Sequence, residues 1–243
     1  MNISILLKII NKGILHNLFS HHCIICSEKT HRKIDLCKAC EKDLPWLKRV
    51  CYSCANPLPY LTTQSICGAC LKNPLPFYKL CIFFSYTDII KRFIIGLKFQ
   101  QRLDYAKILG TLLAKKINAR YQGEPLPDRI IPVPLHKKRL YERGFNQAIE
   151  LAKPISKKLN IPIEYRRCKR VHNTVAQSKL SASQRVINMK NAFIAHPDLA
   201  HHHIALLDDV MTTGRTLIET SRALYDVGVK RIDVWCCSRA YLA

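Results

Sequence analysis

Carboxylates are scarce in this chain. Of 243 residues only 17 are Asp or Glu, against 39 Lys or Arg, which leaves a formal net charge of +22 at pH 7 with His neutral. That excess exceeds what solubility requires and points to a polyanionic partner, nucleic acid or an acidic membrane surface. Long apolar runs are also missing: no stretch approaches the roughly 20 apolar residues of a membrane span. The first 19 residues, MNISILLKIINKGILHNLF, are interrupted by Lys8 and Lys12, and no small-residue cleavage site follows. Ile5, Ile9, Leu15 and Phe19 fall near helical spacing, so an amphipathic helix over residues 1–22 is expected, in a soluble cytoplasmic protein. The 48% hydrophobic content suffices for a packed core, in one domain with an appendage or in two small domains.

Cysteine, by contrast, is abundant. Eight of the twelve form four C-x-x-C pairs: Cys23/Cys26, Cys37/Cys40, Cys51/Cys54 and Cys67/Cys70. Two residues between thiolates let both reach one ion from a tight turn, and two such knuckles complete a tetrahedral site, so structural Zn²⁺ is expected on all eight. A disulfide framework would need an oxidising compartment, which the missing cleavage site argues against. Sequential pairing is the simplest arrangement, and interleaved pairing fits the spacing too. Cys81, Cys168, Cys236 and Cys237 lie outside the pattern and read as small core or surface residues. Pro74 and Pro76 mark a boundary, giving a double zinc-ribbon module over 23–76 and a second domain over 77–243.

In that second domain strands alternate with helices. Leu80 to Tyr86 reads as a strand, and residues 88–113 as a long amphipathic region broken near Gln100 to Leu103. Arg129 to Leu135 follows as a buried strand, Glu142 to Leu159 as helix, Ile204 to Leu207 as a buried central strand, Leu217 to Val227 as helix and Ile232 to Cys236 as a closing strand. The alternation predicts an α/β fold with a parallel sheet, in which ligands bind at the carboxyl ends of strands.

The stretch IALLDDVMTTGRT, Ile204 to Thr216, organises the rest. Its apolar strand ends at Asp208 and Asp209, and a Gly-containing turn then opens a helix, whose free N–H groups and positive dipole suit a phosphate. Carboxylates beside a phosphate cradle would repel a bare anion, so the pattern suits a phosphate that carries hydroxyls or Mg²⁺, such as a phosphorylated ribose. Arg139 and Arg143, in the loop after the strand at Pro132, could clamp a pyrophosphate in two-point fashion; a solvated basic turn is the alternative. Arg129 to Lys190 carries 15 Lys or Arg and three Glu, which a cationic flap or a nucleic-acid track explains. His201 to His203 have no partner set at ligand spacing.

The apolar run followed by Asp-Asp, two apolar residues and Thr-Thr-Gly-x-Thr resembles the phosphoribosyl-pyrophosphate (PRPP) motif of type I phosphoribosyltransferases. The resemblance implies helices on both faces of the sheet, ribose contacts from Asp208 and Asp209, and a 5′-phosphate loop formed by Met211, Thr212, Thr213, Gly214, Arg215 and Thr216. The four knuckles, PVPLHKKRLYERGFNQ, RVHNTVAQSKLSASQRVINMKNAF and LLDDVMTTGRT together resemble the ComF proteins of bacterial competence and their GntX-like relatives. R-G-F-N-Q with the later Gln177, Leu180, Arg185 and Asn188 is the most specific part. Arg215 stands where a small residue is usual.

That resemblance implies a role in natural transformation: a cytoplasmic protein that receives incoming single-stranded DNA, carries a PRPP site and works with other DNA-uptake proteins. Tyr141, Phe145 and Tyr165 would stack on the strand. A working Mg²⁺-PRPP phosphoribosyltransferase is the other hypothesis, with Asp208, Asp209, Arg139 and Arg143 as its catalytic groups. Nucleobase transferases hold their base with a small hood, and the metal module occupies that region here.

Overall fold

The computed structural model describes residues 21–59, 64–172 and 192–241. Of the expected N-terminal helix only His21 and His22 are described, and they form a strand; Gln177, Leu180, Arg185 and Asn188 lie outside the described residues. The chain divides into two compact units, Met1–Leu44 and Pro45–Ala243. The sequence placed a boundary after Pro76. The division falls instead between the two cysteine clusters, because the second is built onto the sheet of the larger unit.

The small unit holds β1 (His21–His22) antiparallel to β2 (Lys29–Thr30), and a short helix α1 (Lys38–Lys42). In the larger unit α2 (Gly68–Lys72) precedes β3 (Lys79–Ser85), α3 (Asp88–Gln100), α4 (Leu103–Arg120) and β4 (Arg129–Pro132). Then come α5 (Lys137–Arg143), α6 (Gln147–Leu159), β5 (Cys168–Arg170), β6 (Phe193–Ala195), β7 (His203–Met211), α7 (Arg215–Asp226) and β8 (Arg231–Arg239). Four strands form a parallel sheet in the order β3-β8-β7-β4, and β5 pairs antiparallel with β6. Residues 45–47 run along the free edge of β3, where the Leu47 N–H donates to the Phe83 carbonyl at 2.8 Å and the Ser85 N–H to that of Pro45 at 2.9 Å. An open edge strand is thereby covered.

Both faces of the sheet are buried, which is why its strands read as continuous apolar runs rather than alternating ones. Ile204, Leu206, Ile232 and Val234 pack with Leu217 and Leu224 of α7 on one face. Side chains alternate along a strand, so Ala205, Leu207 and Trp235 turn to the other face, covered by α4 and α6. One helix boundary agrees with the sequence reading and one corrects it. Gln101 in the left-handed region (φ 54°) separates α3 from α4, as the expected break near Gln100 required. The helix expected over 142–159 is two helices, because Gly144 (φ 79°) closes α5 and Asn146 caps α6.

At the amino end of the sheet lies a buried ionic cluster. Asp233, fully buried, meets His203 Nε2 at 2.8 Å, accepts from Tyr121 Oη at 2.6 Å and takes both arms of Arg231 at 3.0 Å. His203 is thus engaged in this cluster. Burial raises the Asp233 carboxyl, but hydrogen bonds from His203, Arg231 and Tyr121 outweigh it and hold the group below the usual carboxylate range. A depressed folded pKa contributes stability that is present above the unfolded value, near 3.9, and is lost as pH falls through the lower folded one. Asp233→Asn, which keeps the shape and loses the charge, is expected to cost about 1–2 kcal/mol at neutral pH by urea unfolding. The gap to wild type should close below pH 4; a gap independent of pH would show that the charge contributes nothing.

Candidate functional site

The cysteines assemble into two clusters in sequential order, Cys23/Cys26/Cys37/Cys40 and Cys51/Cys54/Cys67/Cys70, each with its sulfurs within 4.8 Å of one another. The Cys26–Cys37 and Cys54–Cys67 sulfurs stand 3.8 and 3.7 Å apart. That is the edge of a tetrahedron whose centre lies about 2.3 Å from each sulfur, the Zn–S bond length, and far beyond a disulfide bond. Burial raises the Cys23 thiol, but backbone N–H groups of Cys37, Cys26 and Ile25 outweigh it and bring it down to about 6. Cys51 is brought down to about 7 in the same way, by N–H groups of Cys67, Cys54 and Ser53. Cys40 and Cys54 are pushed up by burial and then by the neighbouring thiols, the repulsion that a shared divalent cation relieves. The donor set therefore fits Zn²⁺. The other four cysteines are buried.

At the carboxyl end of the sheet, away from the Asp233 cluster, β7 runs on through the acidic pair instead of ending before it. Its pairing with β8 continues as Asp208↔Cys236, Val210↔Ser238 and Met211↔Arg239, which satisfies the backbone to the carboxyl edge of the sheet. The two carboxylates therefore belong to opposite faces. Asp209, 3% exposed, turns with Leu207 toward α3 and α6, where Lys98 forms an ion pair with it and Gln147 Nε2 donates at 3.3 Å. Asp208, half-buried, accepts the Asp209 N–H at 2.8 Å. Burial, and then the adjacent Asp209 charge, push Asp208 well above the usual carboxylate range. Burial acts on Asp209 the same way, but Lys98 outweighs it and holds Asp209 low.

The R-G-F-N-Q stretch owes its position to local geometry. Asn146 caps α6 through the Ala148 N–H at 2.9 Å and donates to the Val133 carbonyl at 3.0 Å, tying α6 to the end of β4. Arg143, on the last turn of α5, donates to Gln147 and lies 5.5 Å from the Phe99 ring centroid. Burial lowers the Arg143 guanidinium; Asp209 opposes that, and the charge of Arg139 adds to it. Arg170 is likewise lowered by burial and by Arg139 and supported by Asp208. Lys98, Arg139, Arg143 and Arg170 thus act electrostatically on one another or on the acidic pair. Lys98 and the contact made by Gln147 were not foreseen. Lys98 read as one more polar position on an amphipathic helix, and nothing in its spacing announced a partner more than 100 residues away.

The six residues named for a phosphate loop run from the end of β7 into the first turn of α7. Met211 is buried in the core at the end of β7, and Arg215 and Thr216 already belong to α7. Thr212 and Thr213 are exposed, and Thr213 Oγ1 accepts the Arg215 N–H at 3.4 Å. Gly214 caps α7 with φ +76°, a conformation that demands glycine; a Cβ there would lie 2.7 Å from Met211 Cε, the movable end of a flexible side chain. Arg239 braces this loop from behind: it donates to the carbonyls of Met211 and Ala240 at 2.9 Å and to that of Thr212. Its other nitrogens reach the Cys54 carbonyl at 3.0 Å and Asn56 Oδ1 at 2.9 Å, inside the second cysteine cluster. Of the three aromatics expected to be open, Tyr141 (92%) and Tyr165 (54%) are exposed, and Phe145 is half-buried.

Two family models match. Residues 14–71 match a double zinc ribbon domain and residues 146–239 a phosphoribosyl transferase domain. Competence protein F of Haemophilus influenzae is 37% identical over 230 residues, covering 92% of this chain and 99% of that protein. The DNA utilization protein YhgH of Escherichia coli K12 is 34% identical over 206 residues, 84% of this chain and 90% of its own. Competence protein ComFC of Bacillus subtilis is 26% identical over 242 residues, 89% and 92%. Among solved structures, the glutamine PRPP amidotransferase of B. subtilis overlaps 54% of this chain and 25% of its own, at 17% identity and a TM-score of 0.37. A superposition that loose carries no weight; the phosphoribosyltransferase-type fold rests on the family match and the parallel sheet. Among the described residues no helix is long and apolar enough to cross a membrane.

Proposed function

We propose that this chain, which belongs to the competence protein F family, binds single-stranded DNA arriving in the cytoplasm during DNA uptake and holds PRPP with Mg²⁺ at its acidic strand end. One observation carries the proposal: at the carboxyl edge of a parallel sheet Lys98 is ion-paired with Asp209, the Asp209 and Asp208 charges act on Arg143 and Arg170, and Arg139 acts on both of these arginines, which together make a cationic rim. Sugar hydroxyls and Mg²⁺ suit Asp208 and Asp209, and the exposed Thr212–Thr213 turn at the start of α7 suits a phosphate. Mg²⁺, when bound, neutralises pyrophosphate charge. Arg139 and Arg143 supply further positive charge beside it, as leaving-group stabilisation requires. That same rim favours a second reading, phosphoribosyl transfer to an acceptor, which pyrophosphate release in the presence of PRPP and candidate acceptors would reveal.

Exposed Tyr141, on α5 with Arg139 and Arg143, and exposed Tyr165, whose ring centroid lies 5.6 Å from Arg166 Cζ, suit a single strand, whose bases stack on aromatic rings while its phosphates pair with cations. Arg167 is engaged by Glu164 and Asp198, so the open cations of the 166–170 segment are Arg166 and Lys169. Replacing both with Ala should reduce the log–log salt slope of oligothymidylate binding by about 1.4, since each single-strand phosphate contact contributes about 0.7. The control Lys38→Ala/Lys42→Ala should leave the slope unchanged. Equal changes in the two variants would mean diffuse polycation binding with no dedicated track.

A further inference from the structure

A cleft of about 530 Å³ lies two strands away from β7, between the β3 edge of the sheet, the last turns of α4 and the strand and knuckle of residues 46–58. Lys116 and Arg120, four apart on α4, line one wall, and Lys48 and Arg49 line the other. Two aromatic rings stand with them. Lys116 Nζ is 4.6 Å from the Trp46 ring centroid, and Arg120 Cζ is 5.0 Å from that of Tyr52, which is 56% exposed. Among the described residues lining the cleft there is no Asp or Glu.

A basic last turn complements a helix dipole, which by itself accounts for Lys116 and Arg120. It does not account for Lys48 and Arg49 across a concavity, or for aromatic rings between the two walls. Cations over ring faces mark positions where positive charge and a stacking surface coincide, and the volume is that of a small-molecule site. We infer that this cleft is a second nucleotide site, which takes one nucleotide of a single DNA strand with its phosphate among Lys48, Arg49, Lys116 and Arg120 and its base on Tyr52. Arg120 then exchanges a ring face for a phosphate oxygen, a stronger, charge-assisted partner. The inference rests on the single-strand reading above and assigns it a second contact point, away from the acidic pair. Cys51 belongs both to the cleft wall and to the second cysteine cluster, so the metal site holds the stacking residue Tyr52 in place.

The zinc-loaded full chain, titrated with oligothymidylate of about 15 nucleotides, tests this. The chain has two tryptophans, and Trp235 is fully buried, so quenching of indole emission reports on Trp46. Lys116→Gln/Arg120→Gln, both exposed positions, should keep the wild-type melting temperature, weaken binding about tenfold at physiological salt and lower the salt slope by about 1.4. Tyr52→Ala should weaken binding by about tenfold with the slope unchanged. If wild type binds the strand but Trp46 is not quenched and the double variant keeps its slope, the cleft assignment is wrong and the DNA reading stands. If wild type does not bind the strand, the DNA reading itself fails. Equal quenching by thymidine monophosphate at the same nucleotide concentration would reassign the cleft to a free nucleotide and overturn the strand.

Discussion

Replacing Asp208 or Asp209 with Asn is expected to weaken PRPP binding about 100-fold, because each substitution removes charged acceptors from sugar hydroxyls and Mg²⁺. The two variants should nevertheless differ in stability. The ion pair with Lys98 makes Asp209 part of the packing between β7 and α3. Asp208 has a raised folded pKa, so its contribution is present below the unfolded value and is lost as pH rises through the folded one. Asn mimics the protonated form, and Asp208→Asn should hold its melting temperature where wild type declines. Asp209 has a lowered folded pKa, and its contribution is present above the unfolded value and lost as pH falls. Asp209→Asn leaves the Lys98 ammonium facing a neutral amide and should cost about 1–2 kcal/mol at neutral pH. Adding Lys98→Met should restore most of that loss without restoring PRPP binding, the signature of a coupled pair. Isothermal titration with Mg²⁺-PRPP and thermal melts at several pH values measure both. Wild-type affinity in either variant would remove that carboxylate from the ligand site.

The second large effect concerns metal. Purified chain should contain about two zinc ions, and Cys37→Ser and Cys51→Ser should each lower that to about one. Their consequences should diverge. Cys37 lies in the Met1–Leu44 unit, so its loss should unfold that unit and spare the main melting transition. Cys51 lies in the larger unit, where Arg239 ties the Cys54 carbonyl and Asn56 to the carbonyls of Met211 and Thr212. Cys51→Ser should therefore lower the main transition by about 10 °C and weaken PRPP binding together, although Cys51 is not among the residues assigned to the ligand. Metal analysis, calorimetry and PRPP titration on both variants check this. If Cys51→Ser binds PRPP like wild type, the Arg239 brace does not govern the loop.

The metal ligands and the parallel α/β domain were legible because each is encoded locally: a knuckle needs only two thiols at fixed spacing, and a buried strand only a short apolar run. Asp208, Asp209 and Gly214 were singled out on the same terms, since an acidic pair after an apolar run and a glycine at positive φ leave marks within a dozen residues. The break between Lys137–Arg143 and Gln147–Leu159 was written in Gly144 and Asn146, and 142–159 was read as one helix because the apolar spacing bridges the gap. Tertiary structure alone decided the rest. It brought Lys98 to Asp209 and Gln147 beside them, gave the two carboxylates opposite pKa shifts, and set Arg239 between the second cysteine cluster and the Thr212–Thr213 turn. These contacts join residues that the chain separates by about 60 to 190 positions, and their strength depends on burial, which no local pattern specifies. Spacing along the chain records what a residue can do; the fold chooses which charge it must do it beside.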